Sequence, residues 1–401
     1  MFKKVKTDPK LIAEFLTRGV ENIYPSREAL EKVLRSGKRL RIYNGIDPTG
    51  PALHLGHAVV LRKLKQLQDL GHEVIMLIGD FTGMIGDPTD KLAARQQLTR
   101  KQVLTNCRNY KKQAGKILNF HGLNAVKIKF NSTWNDKLKF AEVLKLASEF
   151  TAQQMLDREM FKKRLAEGKD LSLQELLYPL IQAYDSVAME VDLEIGGNDQ
   201  MFNMLCGRTL LKRLKNKEKF VLTAKLLADP TGKKMGKTEG NMITLADNAE
   251  TMYGKVMSWP DTLILPGFEI LTTVAMPQAA EISAAPRDFK MKLAREIVKL
   301  YHGGRVAADA EESFIKTFRD HEAPTDAPKV YLKKSETEIN VVDLFMKAGL
   351  VTSKNEARRL IEQGGLSIDG AIIDSPEFEV TVQAGSMLKK GKRHFAQVEV
   401  K

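Results

Sequence analysis

Only two cysteines and two tryptophans occur in 401 residues. With Cys107 and Cys206 alone, no disulfide framework is available, and the pair fits a reducing compartment. No apolar run reaches the ~18 residues needed to cross a bilayer. The start Met-Phe-Lys-Lys-Val-Lys lacks the apolar core of a secretory signal, so a cytoplasmic protein without membrane contact is expected. Acidic residues are missing altogether from Lys91 to Phe130, where Lys91, Arg95, Arg100, Lys101, Arg108, Lys111, Lys112, Lys116, Lys127 and Lys129 are basic. Within a chain of net charge +13, this is the footprint of a polyanion partner; the plainer reading is a solvated helix face. The length allows two or three domains, and 43% hydrophobic residues is ordinary for a folded core.

The richest segment is Tyr43-Asn-Gly-Ile-Asp47-Pro-Thr49-Gly-Pro-Ala-Leu-His54-Leu-Gly56-His57. It follows a strand-like run from Arg39 to Ile46 and opens an amphipathic helix through Val60, Leu61, Leu64, Leu67 and Leu70, with Gly71 as the stop. A strand from Glu73 to Gly79 completes a βαβ unit, whose strand-to-helix turn suits a nucleotide phosphate. Imidazoles at i and i+3 share a face and can reach phosphate oxygens. The competing reading is a surface histidine pair beside a turn; a zinc pair lacks further ligands to complete four. Half a chain later, Lys234-Met-Gly-Lys237-Thr238 stands in a Gly-rich segment where cations could close over pyrophosphate. A P-loop fails on register, because Thr231 occupies the place of the first glycine and Gly232 is one position off.

The rest of this half alternates helix and strand: Ser172 to Met189 helical, Asp192 to Gly197 a strand, Gln200 to Leu214 a helix, Phe220 to Leu227 a strand. The fold class expected is α/β, a Rossmann-like parallel sheet with the motifs at strand ends. Tyr178, Gln182 and Asp185 lie at i, i+4 and i+7 of one helix, a polar face where a core helix would be apolar. Such a face either lines a polar ligand or anchors a structural network.

The histidine segment resembles the HIGH signature of class I aminoacyl-tRNA synthetases, and Lys234-Met-Gly-Lys237-Thr238 resembles their KMSKS loop. Through Tyr43-Asn-Gly-Ile-Asp47-Pro-Thr49, Gly86-Asp87-Pro88, Tyr178-Pro-Leu-Ile-Gln182-Ala-Tyr-Asp185 and Gly196-Gly-Asn-Asp199-Gln200, the likeness narrows to bacterial-type tyrosyl-tRNA synthetases and covers nearly the whole chain. The resemblance implies tyrosine activation with ATP and transfer to tRNA(Tyr), with Mg²⁺ accompanying the nucleotide and no tightly bound cofactor or resident metal. It implies that Tyr43 and Asp185 take the phenol hydroxyl of tyrosine and that Asp87, Tyr178 and Gln182 hold its α-ammonium. Asp47 and Gln200 would border the same substrate, Gly197 and Asp199 the ribose. Thr49, His54, Gly56 and His57 would face the phosphates from one side, Lys234 and Lys237 from the other. Both serines of the family's lysine loop are replaced, by Gly236 and Thr238. A pocket that expects a hydroxyl rejects phenylalanine by leaving buried partners unpaired, a case the general account of specificity takes from this same family. A homodimer is implied, and the basic run is implied to be an insertion that meets the tRNA acceptor end.

Past residue 245 the pattern turns helical, including Arg287 to His302 and Ala307 to Arg319, with a linker at Pro324, Thr325, Asp326 and Pro328. From Ile339 a unit reads as two helices, Val341 to Ala348 and Ser353 to Gln363, then short strands with Asp369-Gly370 as a hairpin turn. This unit resembles an S4 RNA-binding domain, with Lys354, Arg358 and Arg359 on the RNA-facing helix and Lys389, Lys390, Lys392 and Arg393 as a second basic cluster. The expected division is a catalytic domain over 1–244 with a basic helical insertion at about 91–170, a helical anticodon-arm domain over 245–330, and a small α+β S4-like domain over 339–401. Two other readings stay open: a tryptophanyl-tRNA synthetase, which would not need both Tyr43 and Asp185 on a hydroxyl, and a non-catalytic RNA-binding factor on the same scaffold.

Overall fold

The structure is a computed structural model and describes residues 4–88, 97–228, 242–319, 327–333, 336–391 and 394–400, the side chains of 317–319 excepted. Lys234, Lys237, the glycines around them, Lys91, Arg95, Lys392, Arg393 and most of the expected linker lie outside these residues. Contacts divide the chain into two compact units, residues 1–307 and 308–401. No helix among the described residues is long and apolar enough to cross a membrane.

The first unit is built on a six-stranded sheet in the order β1-β6-β5-β2-β3-β4, with β1 Val20–Tyr24, β2 Arg41–Ile46, β3 Glu73–Ile78, β4 Lys127–Phe130, β5 Leu193–Gly197 and β6 Phe220–Ala224. All neighbours are parallel except the edge pair β1 and β6. The central strands are nearly unbroken apolar runs, as a sheet covered on both faces requires; β3 is buried from Val74 to Ile78. From β2 the chain moves outward through β3 and β4, then returns to add β5 and β6 on the other side. The reversal falls between β2 and β5, which pair only at Ile42 with Leu193 and Tyr43 with Glu194 before their carboxyl ends separate. A crevice therefore opens where an open α/β sheet binds ligands.

Helix Leu55–Leu70 crosses from β2 to β3 and stops at Gly71, whose φ of 98° is readily adopted only by glycine. Helix Leu173–Met189 precedes β5 and helix Met201–Lys215 follows it. Leu180, Ala183 and Val187 of the former pack with Cys206, Leu210 and Leu211 of the latter.

The helices after residue 245, including Ala249–Met257, Ile264–Leu271 and Pro286–His302, fall in the same compact unit as the sheet. In the stretch read as a helical insertion, β4 joins the central sheet beside β3, so the residues before it form an ordinary crossover and the short helices after it, such as Phe140–Ala147 and Glu159–Ala166, are the insertion proper. The positive charge of the run is also partly compensated, which its composition does not show. Acids from elsewhere meet it: Arg100 holds Asp136 through two hydrogen bonds of 2.8 and 2.6 Å, and Lys127 pairs with Glu73 at 2.7 Å. A sequence window sees the run but not the partners that folding brings to it.

The second unit has its own core, with Val341, Leu344, Phe345, Ala357, Ile361, Leu366, Leu388 and Val398 buried together. Helices Val341–Lys347 and Lys354–Glu362 cover a five-stranded sheet in which Lys329–Leu332 pairs in parallel with His394–Val400. The unit thus draws on residues before Ile339. Asp369 and Gly370, with φ of 48° and 85°, make the tight turn between Leu366–Ile368 and Ala371–Ile372.

Candidate active site

Two imidazoles form the entrance of helix Leu55–Leu70. His54 is its N-cap, with Nδ1 accepting from the Gly56 amide at 3.1 Å, while Nδ1 of His57 accepts from the His54 amide at 3.1 Å. This reciprocal cap is the structural use that the plainer reading anticipates, and it has a chemical consequence. A nitrogen that accepts carries no proton, so both rings place their N–H on Nε2, away from the backbone. The rings lie 3.9 Å apart between centroids. Gly56 is needed beneath them, because a Cβ there would stand 2.9 Å from Cε1 of His54.

Backbone bonds tie this entrance to the far end of the lysine-bearing segment. The Leu55 amide donates to Ile243 O at 3.0 Å and the Leu245 amide to Leu53 O at 2.7 Å, with His54 and Thr244 bridged between them. Asp247 holds the tie: it accepts from the Thr244 amide (3.0 Å), the Thr244 hydroxyl (2.8 Å) and Lys255 (2.7 Å). Leu227, on the near side of the segment, lines a small pocket with His54, Gly56, Met242 and Ile243. The described residues on both sides of the segment that carries Lys234 and Lys237 therefore meet the helix entrance at His54.

Beside the crevice lies a second cluster rich in carboxylates. Tyr43 and Tyr178 are buried, as are Asp87 and Asp185, while Asp47, Gln182 and Gln200 are half-buried. Asp185 accepts from Trp134 Nε1 at 2.7 Å and from Asn131 and Asn135 at 3.2 Å each. Burial nevertheless pushes its carboxyl up to about 8, against the pull of those three donors and with Glu194 adding to the rise. Asp47 accepts the Tyr178 hydroxyl at 2.8 Å and the Thr82 hydroxyl at 2.6 Å. Asp87 accepts from the Gln200 amide, which in turn accepts from Asn203 at 3.1 Å. Burial and the neighbouring Asp47 and Asp87 hold the Tyr178 phenol well above its usual range. Gly79 makes room for this arrangement, because a Cβ would fall 2.0 Å from Asp47 Oδ1.

Tyr178, Gln182 and Asp185 do share one helix, but their bonds lead to three places. Gln182 donates to Glu194 at 3.2 Å, and the Tyr43 hydroxyl meets Ser186 at 3.0 Å, not Asp185. Thr49 sits in the turn between β2 and the histidine helix, its amide donating to Asp47 O at 2.8 Å. Gly197 and Asp199 lie at the end of β5 and the turn that follows. Sequence reasoning did not single out Asn131, Trp134, Asn135, Ser186, Glu194 or Lys219. Ser186 and Glu194 stood beside motif residues; Lys219, the last of a basic run with Lys212, Arg213, Lys215 and Lys217, carried no signal that set it apart from a solvated lysine.

In the second unit, Lys354, Arg358 and Arg359 are exposed on the outer face of their helix, whose Ala357 and Ile361 are buried. Lys354 pairs with Asp343 at 2.7 Å, and Lys390 with Glu356 at 2.6 Å.

A family model described as tRNA synthetases class I (W and Y) matches residues 35–319, and one for the S4 domain matches residues 342–385. The chain is 44% identical to a tyrosine–tRNA ligase of Moorella thermoacetica over 96% of this chain and 94% of that protein. It is 42% identical to a tyrosine–tRNA ligase of Thermotoga maritima over 97% and 98%. Among solved structures, a C-terminally truncated mitochondrial tyrosyl-tRNA synthetase of Coccidioides posadasii is similar with a TM-score of 0.60 at 25% identity, covering 75% of this chain and 91% of that one.

Proposed function

The chain belongs to the class I tRNA synthetases of the tryptophan and tyrosine group, and from that membership we propose how its residues divide the work. The activity is that of a tyrosine–tRNA ligase: tyrosine and ATP give tyrosyl adenylate and pyrophosphate, and the tyrosyl group then passes to the 3′ end of tRNA. The tyrosine carboxylate attacks the α-phosphorus in line as the bond to pyrophosphate breaks, so no side chain serves as a nucleophile. Catalysis is then positioning plus stabilisation of charge on the phosphates. Thr49 and the Nε2–H groups of His54 and His57 face that charge at the helix entrance, with Gly56 allowing close approach. Lys234 and Lys237 approach from the opposite side, and Mg²⁺ enters as part of the nucleotide substrate. Gly197 and Asp199, at the end of β5, take the ribose.

Tyr43 and Asp185 read the phenol hydroxyl. Asp87, Tyr178 and Gln182 take the ammonium, with Asp47 and Gln200 holding Tyr178 and Asp87 in place. The observation that carries the choice of tyrosine over tryptophan is the buried pair of polar groups, Tyr43 and Asp185, on β2 and the helix facing it. An indole N–H can satisfy the carboxylate, as Trp134 does, but it offers no acceptor to the Tyr43 hydroxyl, whereas a phenol meets both groups. Lys354, Arg358 and Arg359 contact tRNA(Tyr), and the protein acts in the cytoplasm as a homodimer. Exposed Phe140, Leu144, Leu165 and Leu173, all in or beside the insertion, supply the apolar surface that a subunit contact requires. The expected division into catalytic (1–244), helical (245–330) and S4-like (339–401) parts is kept as a division of labour.

The test is ATP–pyrophosphate exchange without tRNA, with tyrosine, tryptophan and phenylalanine in parallel. Exchange with tyrosine alone is expected; exchange with tryptophan would move the protein to the sister specificity. His54→Ala and Lys237→Ala should slow exchange while tyrosine affinity holds.

A further inference from the structure

Behind the amino-acid pocket lies an ion pair that the mechanism above does not use. Lys219 is wholly buried just before β6, and its ammonium contacts Glu194, itself 3% exposed on β5. The same ammonium donates to Ser186 Oγ at 2.8 Å. That oxygen lies 3.0 Å from the Tyr43 hydroxyl, and the second oxygen of Glu194 accepts from Gln182 at 3.2 Å. Tyr43 and Glu194 are direct neighbours across the β2–β5 pair, at the point where the crevice opens. Helix Met201–Lys215 leaves space for the charge through Gly207, where a Cβ would stand 2.5 Å from Nζ of Lys219 and 2.8 Å from Ser186 Oγ. A mid-helix glycine is destabilising relative to alanine, so this room has an energetic cost that the buried ammonium explains.

We propose that Lys219 is a positioning residue for amino-acid selection: through Ser186 it makes Tyr43 the hydrogen-bond donor to the substrate hydroxyl, and through Glu194 it holds Gln182. The inference rests on the tyrosine reading of Tyr43 given above. An ammonium has three donors and no acceptor, so the bond from Lys219 occupies one lone pair of Ser186 and favours the arrangement in which the serine proton is donated to the oxygen of Tyr43. With its oxygen accepting from Ser186, and with the two oxygens of Glu194 engaged by Gln182 and Lys219, Tyr43 is left to direct its own proton outward. The ligand phenol then receives a hydrogen bond from Tyr43 and donates its proton to Asp185. The Tyr43 wall then donates and the ionised Asp185 accepts, a pair of bonds that phenylalanine cannot make.

Ser186→Ala cuts the chain to Tyr43 while keeping the Lys219–Glu194 pair, and the double variant K219M/E194Q removes both buried charges together, avoiding an unpaired one. The measurement is kcat/KM for tyrosine and for phenylalanine in pyrophosphate exchange, with KM for ATP recorded alongside. Loss of one oriented hydrogen bond should lower the tyrosine-to-phenylalanine ratio about tenfold, through KM for tyrosine, with KM for ATP unmoved. Ser186→Ala combined with Tyr43→Phe should lose no more selectivity than Tyr43→Phe alone. A selectivity ratio unchanged in Ser186→Ala, or losses that simply add in the double variant, would overturn the proposal even if thermal stability fell. If the unaltered protein showed no tyrosine-dependent exchange, the functional reading itself would fail, a result distinct from either.

Discussion

A single carboxyl group gives the site its own pH dependence. Asp185 titrates at about 8 because burial disfavours its charge. An acid raised in this way stabilises the fold fully below its unfolded pKa of about 4 and loses that contribution as pH rises through the folded value. Asp185→Asn should therefore show a smaller fall in denaturation midpoint between about pH 4 and 8 than the parent. If Asp185 must be ionised to accept the phenol proton, KM for tyrosine should tighten as pH rises through the folded value, and the inflection should vanish in Asp185→Asn. Gly79 is a second test at this scale. A Cβ would stand 2.0 Å from Asp47 Oδ1 and 2.4 Å from Thr82 Oγ1, so two side chains that bond each other at 2.6 Å would both have to shift. Gly79→Ala is expected to destabilise by about 1–3 kcal/mol, as overpacking does, and to weaken tyrosine binding by displacing the partner of Tyr178; urea midpoints and equilibrium tyrosine binding would check both.

Between elements, the controlling feature is the backbone tie of residues 53–55 to 243–245. It places the exit of the lysine-bearing segment against the histidine helix, which supports the proposal that cations and imidazoles act on one pyrophosphate. Asp247 secures the tie through Thr244 and Lys255 without lining the amino-acid pocket. Asp247→Ala should therefore raise KM for ATP and lower the exchange rate severalfold, while the equilibrium affinity for tyrosine stays within error. An equal loss of tyrosine affinity would show that Asp247 supports the whole sheet and not the loop alone.

In the whole molecule the two reactions separate. In the proposed division of labour, adenylate formation draws on the first unit, with the crevice, the histidines and the lysine segment. Transfer needs tRNA held as well, an association dominated by phosphate charge and therefore weakened by salt. Replacing Lys354, Arg358 and Arg359 together by alanine should leave tyrosine-dependent exchange intact and lower tRNA charging. The log–log salt dependence of tRNA binding should become shallower by about one for each phosphate that is no longer neutralised. Unchanged charging would remove these residues from the RNA surface.

Local order along the chain was enough for the βαβ unit, the helices Leu173–Met189 and Met201–Lys215, and the Asp369-Gly370 turn, because apolar period, caps and turn residues act over a few positions. The motif residues were legible for the same reason: His54 and His57 are three apart, and Tyr178, Gln182 and Asp185 lie within two helical turns. Tertiary structure alone decided which of them meet. It separated β2 from β5 beyond two paired residues, gave Asp185 three donors from 131–135, and set Tyr43 against Ser186. It also brought Lys219 to Glu194 and supplied Glu73 and Asp136 to a run that has no acids of its own. Hydrogen bonds and ion pairs of this kind join residues tens of positions apart, and their partners are chosen by the packing of the sheet, which no local pattern of residues records.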